Sequence, residues 1–125
     1  VKGEIPAYTL YEDDLVMAFL DISQATIGHT LVVPKEHYEN IFALNDDIGK
    51  HLFATSIKIA KRLKERLDIS NLNIINNNGP LAGQTVSHFH IHLLPRYDDD
   101  KMVINYSSNK LSPEQFNELL EKLRF

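Results

Sequence analysis

The sequence predicts an α+β fold: a mostly antiparallel sheet of about five strands, one long helix and a short C-terminal helix. Three observations predict it. Short apolar runs rich in Tyr, Val, Leu and Phe recur along the chain. One long central stretch carries apolar residues at helical spacing, and the chain closes on a second helical pattern with its own start signal. Strands, long helix, strands, short helix is an order that packs helices on one face of an antiparallel sheet rather than between parallel strands. At 125 residues the chain suits one domain, residues 1–125, long enough for a real core.

Each element has its own signal. Pro6 to Leu10 and Leu15 to Leu20 flank the polar trio Glu12-Asp13-Asp14, which reads as a hairpin. Thr30 to Val33 is a third strand, entered through Gly28 and stopped by Pro34. Ile48, Leu52, Ile59, Leu63 and Leu67 then fall on one helical stripe, which Phe53, Ile57 and Ala60 widen. Asn45 or Asp46 caps its start, and Lys58, Lys61, Arg62 and Lys64 occupy its solvent side and C-terminal end. Leu72 to Asn76 is a strand, and Asn77 to Gln84 is a loop carrying Gly79, Pro80 and Gly83. A strand over 88–94 ends at Pro95, and Asp98-Asp99-Asp100 forms a solvated turn. In the last helix Ser112 is the N-cap, Pro113 sits at the first helical position and Gln115 completes a capping box. Its apolar face is Phe116, Leu119, Leu120 and Leu123. An edge strand of so small a sheet is open to pairing with a second copy, so a symmetric homodimer is expected.

Composition narrows the function. The net charge of −4 argues against broad attraction to nucleic acid or an acidic membrane, so neither is expected as a partner. No apolar run approaches the roughly 20 residues of a membrane span, and no secretory h-region is present, which points to a cytoplasmic setting. The sequence has no cysteine, hence no disulfide framework or thiolate zinc site within it. It opens on Val1 rather than Met, which leaves room for a preceding native segment and any cysteine-based site there.

The chemistry concentrates in residues 88–94, His-Phe-His-Ile-His-Leu-Leu. Side chains on a strand alternate between faces, so His88, His90 and His92 share one face, roughly 6.6 Å apart, while Phe89, Ile91 and Leu93 enter a core. An unperturbed imidazole titrates near ~6.5, so such a row is poised for chemistry near neutral pH. Three readings compete: inert surface histidines, a metal site of the His-x-His kind, and nucleophilic catalysis. No Asp, Glu or Cys lies in the strand or in the loop before it, which weakens the metal reading. In the nucleophilic reading a neutral imidazole attacks and later departs, so two easy displacements replace one difficult one. His90 is the best nucleophile, with the carbonyl of His88 accepting its Nδ1–H. His92 and a distant histidine would place positive charge beside a transferring phosphoryl group.

The pattern His-φ-His-φ-His-φ-φ, with φ apolar, resembles that of the histidine triad (HIT) family, and residues 88–94 match every position. Glu4-Ile5-Pro6-Ala7, Tyr11-Glu12-Asp13-Asp14, Phe19-Leu20-Asp21-Ile22-Ser23 and the segment Gly28 to His37 resemble its Hint-type, nucleotide-binding hydrolase branch. So do Asn76-Asn77-Asn78-Gly79 and Gly83-Gln84-Thr85-Val86. The resemblance covers about residues 4–97. It implies a homodimer with one continuous sheet, a purine nucleotide ligand of the AMP or GMP type, and attack on the α-phosphorus by His90. His88 would fix the ring of His90 through its carbonyl, and His92 and His37 would complete the cluster. Thr85 stands for a hydroxyl residue near the leaving group, Gln84 and Asn77 for polar groups near the phosphate, and Asp21 for the carboxylate that receives the ribose. Phe19, Ile22 and Leu31 match the apolar slot for the base. Gly83, with Gly79, gives the loop its shape and the phosphate room.

No cofactor is expected, and no metal within these residues: bacterial relatives often carry cysteines upstream of the Ile-Pro-Ala stretch, and this sequence has none. Leu94-Pro95-Arg96 after the triad is shared with relatives that cleave dinucleoside polyphosphates, which makes Arg96 a candidate phosphate contact. His92 at the third triad position, where nucleotidyltransferase relatives carry glutamine, favours hydrolysis. His29 reads as structural and His51 as solvent-facing. The leading expectation is a hydrolase of nucleoside 5'-phosphoramidate-type substrates acting through a nucleotidyl-histidine. The alternatives are a dinucleoside polyphosphate hydrolase and a nucleotide-binding regulatory module with incidental catalysis.

Overall fold

The computed structural model describes residues 8–125. Strands β1 (Thr9–Glu12), β2 (Val16–Leu20) and β3 (Thr30–Pro34) precede helix α1 (Asp46–Leu67). Strands β4 (Asn71–Ile75) and β5 (Ile91–Arg96) and helix α2 (Pro113–Leu123) follow. The sheet order is β1-β2-β3-β5-β4, and every adjacent pair is antiparallel. The result is the α+β architecture that the sequence predicts.

Local chemistry explains the elements. The Asn45 side chain accepts from the Asp47 and Ile48 amides and starts α1, with Asp46 and Asp47 at the positive end of its dipole. Asp68 at φ 54° ends it in the left-handed conformation that asparagine and aspartate tolerate. Between β1 and β2, the Asp13 carboxylate accepts from the Leu15 and Val16 amides, from Tyr11 Oη and from His51 Nε2. His51 therefore ties α1 to the first hairpin at 2.8 Å instead of facing solvent alone. The turn lies one step later than expected, and the Pro6 end of the predicted first strand falls outside the described residues.

The core lies between α1 and one sheet face. Val16, Ala18, Val32, Ile91 and Leu93 meet Leu52, Ile59 and Leu63, with Phe89 closing one end. Paired strand residues share a face, so the register Phe19↔Leu31↔His92↔Ile75 sets those four on the opposite, open face. Two expectations need correction. Phe53 and Ile57 do not join the core; they are 52% and 44% exposed. Helix α2 does not pack on the sheet either, since none of its residues is buried.

The fifth strand is displaced from its predicted span. It runs from Ile91 to Arg96, not 88–94. The Phe89 amide donates to the Tyr38 carbonyl, so residues 88–90 leave the ladder before β3 pairing begins at Val32↔Ile91. Pro95 does not stop the strand. Pairing with β3 ends at Thr30↔Leu93, and Pro95 is opposed only by Leu72 of β4, so a missing amide is tolerated on the side without a neighbour.

Candidate active site

Because 88–90 is not strand, the three histidines do not form one row. His88 is buried and turns under the sheet end, where its Nε2–H donates to the Pro34 carbonyl at 2.9 Å. That bond leaves His88 Nδ1 bare, and it accepts from His37 Nδ1–H at 2.9 Å. His37 thus supports His88 rather than joining the cluster on the open face.

His90 folds back on its own backbone. Its Nδ1–H donates to the His88 carbonyl at 2.7 Å, which assigns the lone pair to Nε2. The backbone there is held in turn by Asn76, whose Nδ2 donates to the His90 carbonyl at 2.9 Å. His92 lies beside it, ring centroids 4.8 Å apart at 67°.

His92 is partnered by His29, which stands just before β3. The Ala25 amide donates to His29 Nδ1 at 3.2 Å, so the proton of His29 sits on Nε2 and is donated to His92 Nδ1 at 2.9 Å. A neutral His92 then carries its own proton on Nε2, as a donor. Asp21 Oδ2 lies 3.7 Å from His29 Nε2. His29 enters the site because β3 and β5 are neighbours in space; only its place at the mouth of a strand after a glycine hinted at this.

Burial sets the electrostatics. Desolvation pushes His29, His88 and His92 below the ordinary imidazole range. For His92, burial comes first and the neighbouring His90 and His29 add to it, down to about 4. These rings are neutral at pH 7, so His92 acts as a hydrogen-bond donor and not as the cation expected from its position. Acidification must charge them. The unfolded chain takes up these protons near pH ~6.5, the folded chain only lower, so stability is complete above that value and falls as pH drops towards about 4. Urea midpoints at pH 7.5, 6 and 4.5 should decline in that order, with a shallower slope in His92→Gln; a flat profile would refute the burial argument.

Asp21, His29 and His92 each bring one ligand-type atom within 4.8 Å of the others. A cation there would need His29 Nε2 bare, and the Ala25 amide already occupies the other ring nitrogen. The donor set as hydrogen-bonded does not fit a metal.

The remaining expected residues separate into two groups. Phe19 and Leu31 line a cleft of about 130 Å³ with Val33, Val86, His88 and His90, while Ile22 is 86% exposed outside that lining. Asp21 keeps Oδ1 on the Ser23 amide and turns Oδ2 towards His29. Asn77 lies against Gly83, its Nδ2 3.7 Å from where a Cβ would stand, and Gly83 itself has φ +95°. Thr85 is exposed on the same loop. Gln84 is engaged otherwise: its amide accepts from the Gly79 N–H and donates to the Glu39 and Val86 carbonyls, so it clamps the loop. Arg96, expected at a phosphate, instead binds Asp100 through two nitrogens and also donates to Asn73 and the Met102 carbonyl. Asp100 is accordingly no solvated turn residue. Its carboxyl is held down at about 2, chiefly by Arg96.

The fold and the site together define an α+β protein that presents a hydrogen-bonded histidine cluster on the open face of its sheet. Residues 2–99 match the profile of the HIT domain, and the chain belongs to that family. It is 48% identical over 97 residues to Protein hit of Bacillus subtilis, covering 78% of this chain and 67% of that one. It is 35% identical over 124 residues to adenosine 5'-monophosphoramidase hnt1 of Schizosaccharomyces pombe, covering 98% and 90%. The crystal structure of SMU.412c from Streptococcus mutans overlays with a TM-score of 0.91 at 45% identity, covering 98% of this chain and 78% of that one. Among the described residues no helix is long and apolar enough to cross a membrane.

Proposed function

We propose that this HIT-family nucleotide hydrolase cleaves the bond between the α-phosphorus of a purine nucleotide and its leaving group, with a nucleoside 5'-phosphoramidate as substrate class. The observation that carries the reading is the 2.7 Å bond from His90 Nδ1 to the His88 carbonyl, because it leaves Nε2 as the free nucleophilic nitrogen. His90 Nε2 attacks phosphorus, the P–N bond breaks, and the amine departs with a proton relayed from solvent through the Thr85 hydroxyl; the attacking water of the second step returns that proton to solvent. Water then attacks the nucleotidyl-histidine, the imidazole leaves, and the nucleoside monophosphate is released.

The neighbouring residues take matching roles. His92 Nε2–H donates to a phosphoryl oxygen as charge builds there, a contact of greater value in the transition state. Thr85 offers its hydroxyl to the leaving group. Asn77, whose amide has no hydrogen-bond partner among the described residues, faces the phosphate. Asp21 Oδ2 accepts from the ribose hydroxyls, and Phe19 and Leu31 receive the base in the cleft. No residue in this scheme requires a metal. The engagement of Arg96 with Asp100 removes the residue that favoured dinucleoside polyphosphates.

A homodimer is part of this proposal. Phe53 and Ile57 are exposed on the helix face that carries Ala60 and Lys64, which line a cavity with Asn71 and Leu72 of the edge strand β4, and Ile74 of that strand is 47% exposed. Pairing two β4 edges would cover these apolar residues and continue the sheet. The setting is cytoplasmic and the HIT domain is the whole of residues 1–125.

Mixing the protein with adenosine 5'-phosphoramidate and quenching within one turnover should give a mass increase of one AMP per subunit, mapped to His90. Turnover of that substrate should exceed that of diadenosine tetraphosphate. Turnover without any adduct, or an adduct on another residue, would overturn the mechanism.

A further inference from the structure

His90 lies just outside the two ladders of β5. Pairing with β3 begins at Ile91 and pairing with β4 at His92, and β4 itself ends at Ile75. No residue is paired with His90 in the sheet, although this is the residue that must aim a lone pair. A loop and two side chains hold it instead. On one side the Phe89 amide donates to the Tyr38 carbonyl at 2.7 Å. On the other the His90 carbonyl accepts from Asn76 Nδ2 at 2.9 Å.

Asn76 does not act alone. Its Oδ1 accepts from Asn78 Nδ2 at 2.6 Å, and Asn78 Oδ1 accepts from the Ile41 amide at 2.7 Å. The two ends of this relay dictate its direction. A backbone N–H can only donate and a backbone carbonyl can only accept. Asn78 must therefore turn its oxygen to Ile41 and its nitrogen to Asn76, which does the same towards His90. A flip of either amide would set oxygen against oxygen at one contact and N–H against N–H at the other. Aligned amides of this kind also polarise one another. The relay starts in the same short segment that holds Phe89. Residues Tyr38 to Ile41 thus fix the chain on one side of His90 directly, and on the other through two side chains. Gln84 Nε2 donates to the Glu39 carbonyl and anchors that segment to the loop beside the site.

We propose that Asn76 and Asn78 are positioning residues, which hold the His90 main chain so that Nε2 keeps its line to phosphorus. The inference rests on His90 as the nucleophile and goes beyond it. The bond to the His88 carbonyl sets the tautomer of the ring, whereas the relay sets the direction in which the backbone presents it. The ring carries Nε2 well away from the Cα, so a small turn of the peptide displaces the attacking atom by more than it displaces the main chain. A displacement of about 1 Å can cost roughly 10²-fold in rate. Neither asparagine is proposed to meet the substrate. The proposed ribose and base contacts, Asp21, Phe19 and Leu31, lie on or beside β2 and β3. Loss of the relay should therefore slow the chemical step and leave saturation unchanged.

The test follows formation of the AMP adduct on His90 in a single turnover, over a range of adenosine 5'-phosphoramidate concentrations. Asn76→Ala should lower the limiting rate by about 10- to 100-fold and Asn78→Ala by about 5- to 30-fold. The half-saturating concentration should stay within about twofold. The double variant should be no slower than Asn76→Ala, because Asn78 acts only through Asn76. Asn73→Ala is the control. It removes a half-buried side-chain bond from β4, the one that Arg96 Nη1 donates, and should leave the rate within about twofold. Urea midpoints establish that each variant is folded, and Asn78→Ala carries the test by itself should Asn76→Ala not fold. Three results would overturn the positioning role and leave His90 as the nucleophile: a wild-type rate in either single variant, losses that multiply in the double variant, or a rise in half-saturation without a fall in rate. An equal loss of rate in Asn73→Ala would do the same. Absence of any His90 adduct in the unsubstituted protein overturns both readings.

Discussion

Turnover should fall by roughly 10⁴-fold or more when His90 is replaced by alanine, the scale on which loss of a nucleophile is felt. The effect is expected on kcat, because the ring that forms the covalent bond is removed while the proposed ribose and base contacts at Asp21, Phe19 and Leu31 remain. The fold should survive. The bond from Asn76 is to the backbone carbonyl of residue 90 and persists, and the His88 carbonyl loses only one donor at a half-buried position. A stability change within about 1 kcal/mol is therefore expected. Steady-state rates on adenosine 5'-phosphoramidate, nucleotide binding by calorimetry and a urea melt check the three parts together. Near-normal turnover by a folded His90→Ala protein would remove this histidine from the chemistry.

The second large effect is on stability. Leu93 is fully buried, lies between Thr30 and Ile74 in the register and belongs to the core that α1 covers. Leu93→Ala should cost about 3 kcal/mol, within the usual 2–5 for emptying such a site. Urea unfolding at one fixed protein concentration should show a lower midpoint with an unchanged slope. A loss below about 1 kcal/mol would mean that Leu93 is not packed as described. Its neighbour His92 points to the other face of the same strand, so the cavity also loosens the donor beside His90, and a smaller drop in turnover should accompany the loss of stability.

Much of this was legible in the residues. Asn45, Ser112 and Gln115 announce both helix starts through their own side chains. The alternation of Phe89, Ile91 and Leu93 places three apolar residues in the core wherever the strand begins. The same alternation misplaced the strand, because it cannot see that the Phe89 amide is taken by Tyr38, 51 residues earlier in sequence. The flanks of α1 were misread for a related reason. Phe53 and Ile57 satisfy a helical stripe, but one sheet covers only part of a helix, and they fall beyond the covered part.

The chain alone determined the α+β class, the helix starts, the inward residues of the last strand and the choice of imidazole chemistry, since all of these follow from local periodicity and side-chain type. Only the tertiary structure decided how the histidines divide: His88 with His37, His92 with His29, and His90 left with a free nitrogen. It likewise withdrew Arg96 and Gln84 into the scaffold. The physical reason is that a ring nitrogen or a guanidinium is assigned by whichever partner comes within hydrogen-bond reach, and those partners arrive from strands and loops far away in sequence.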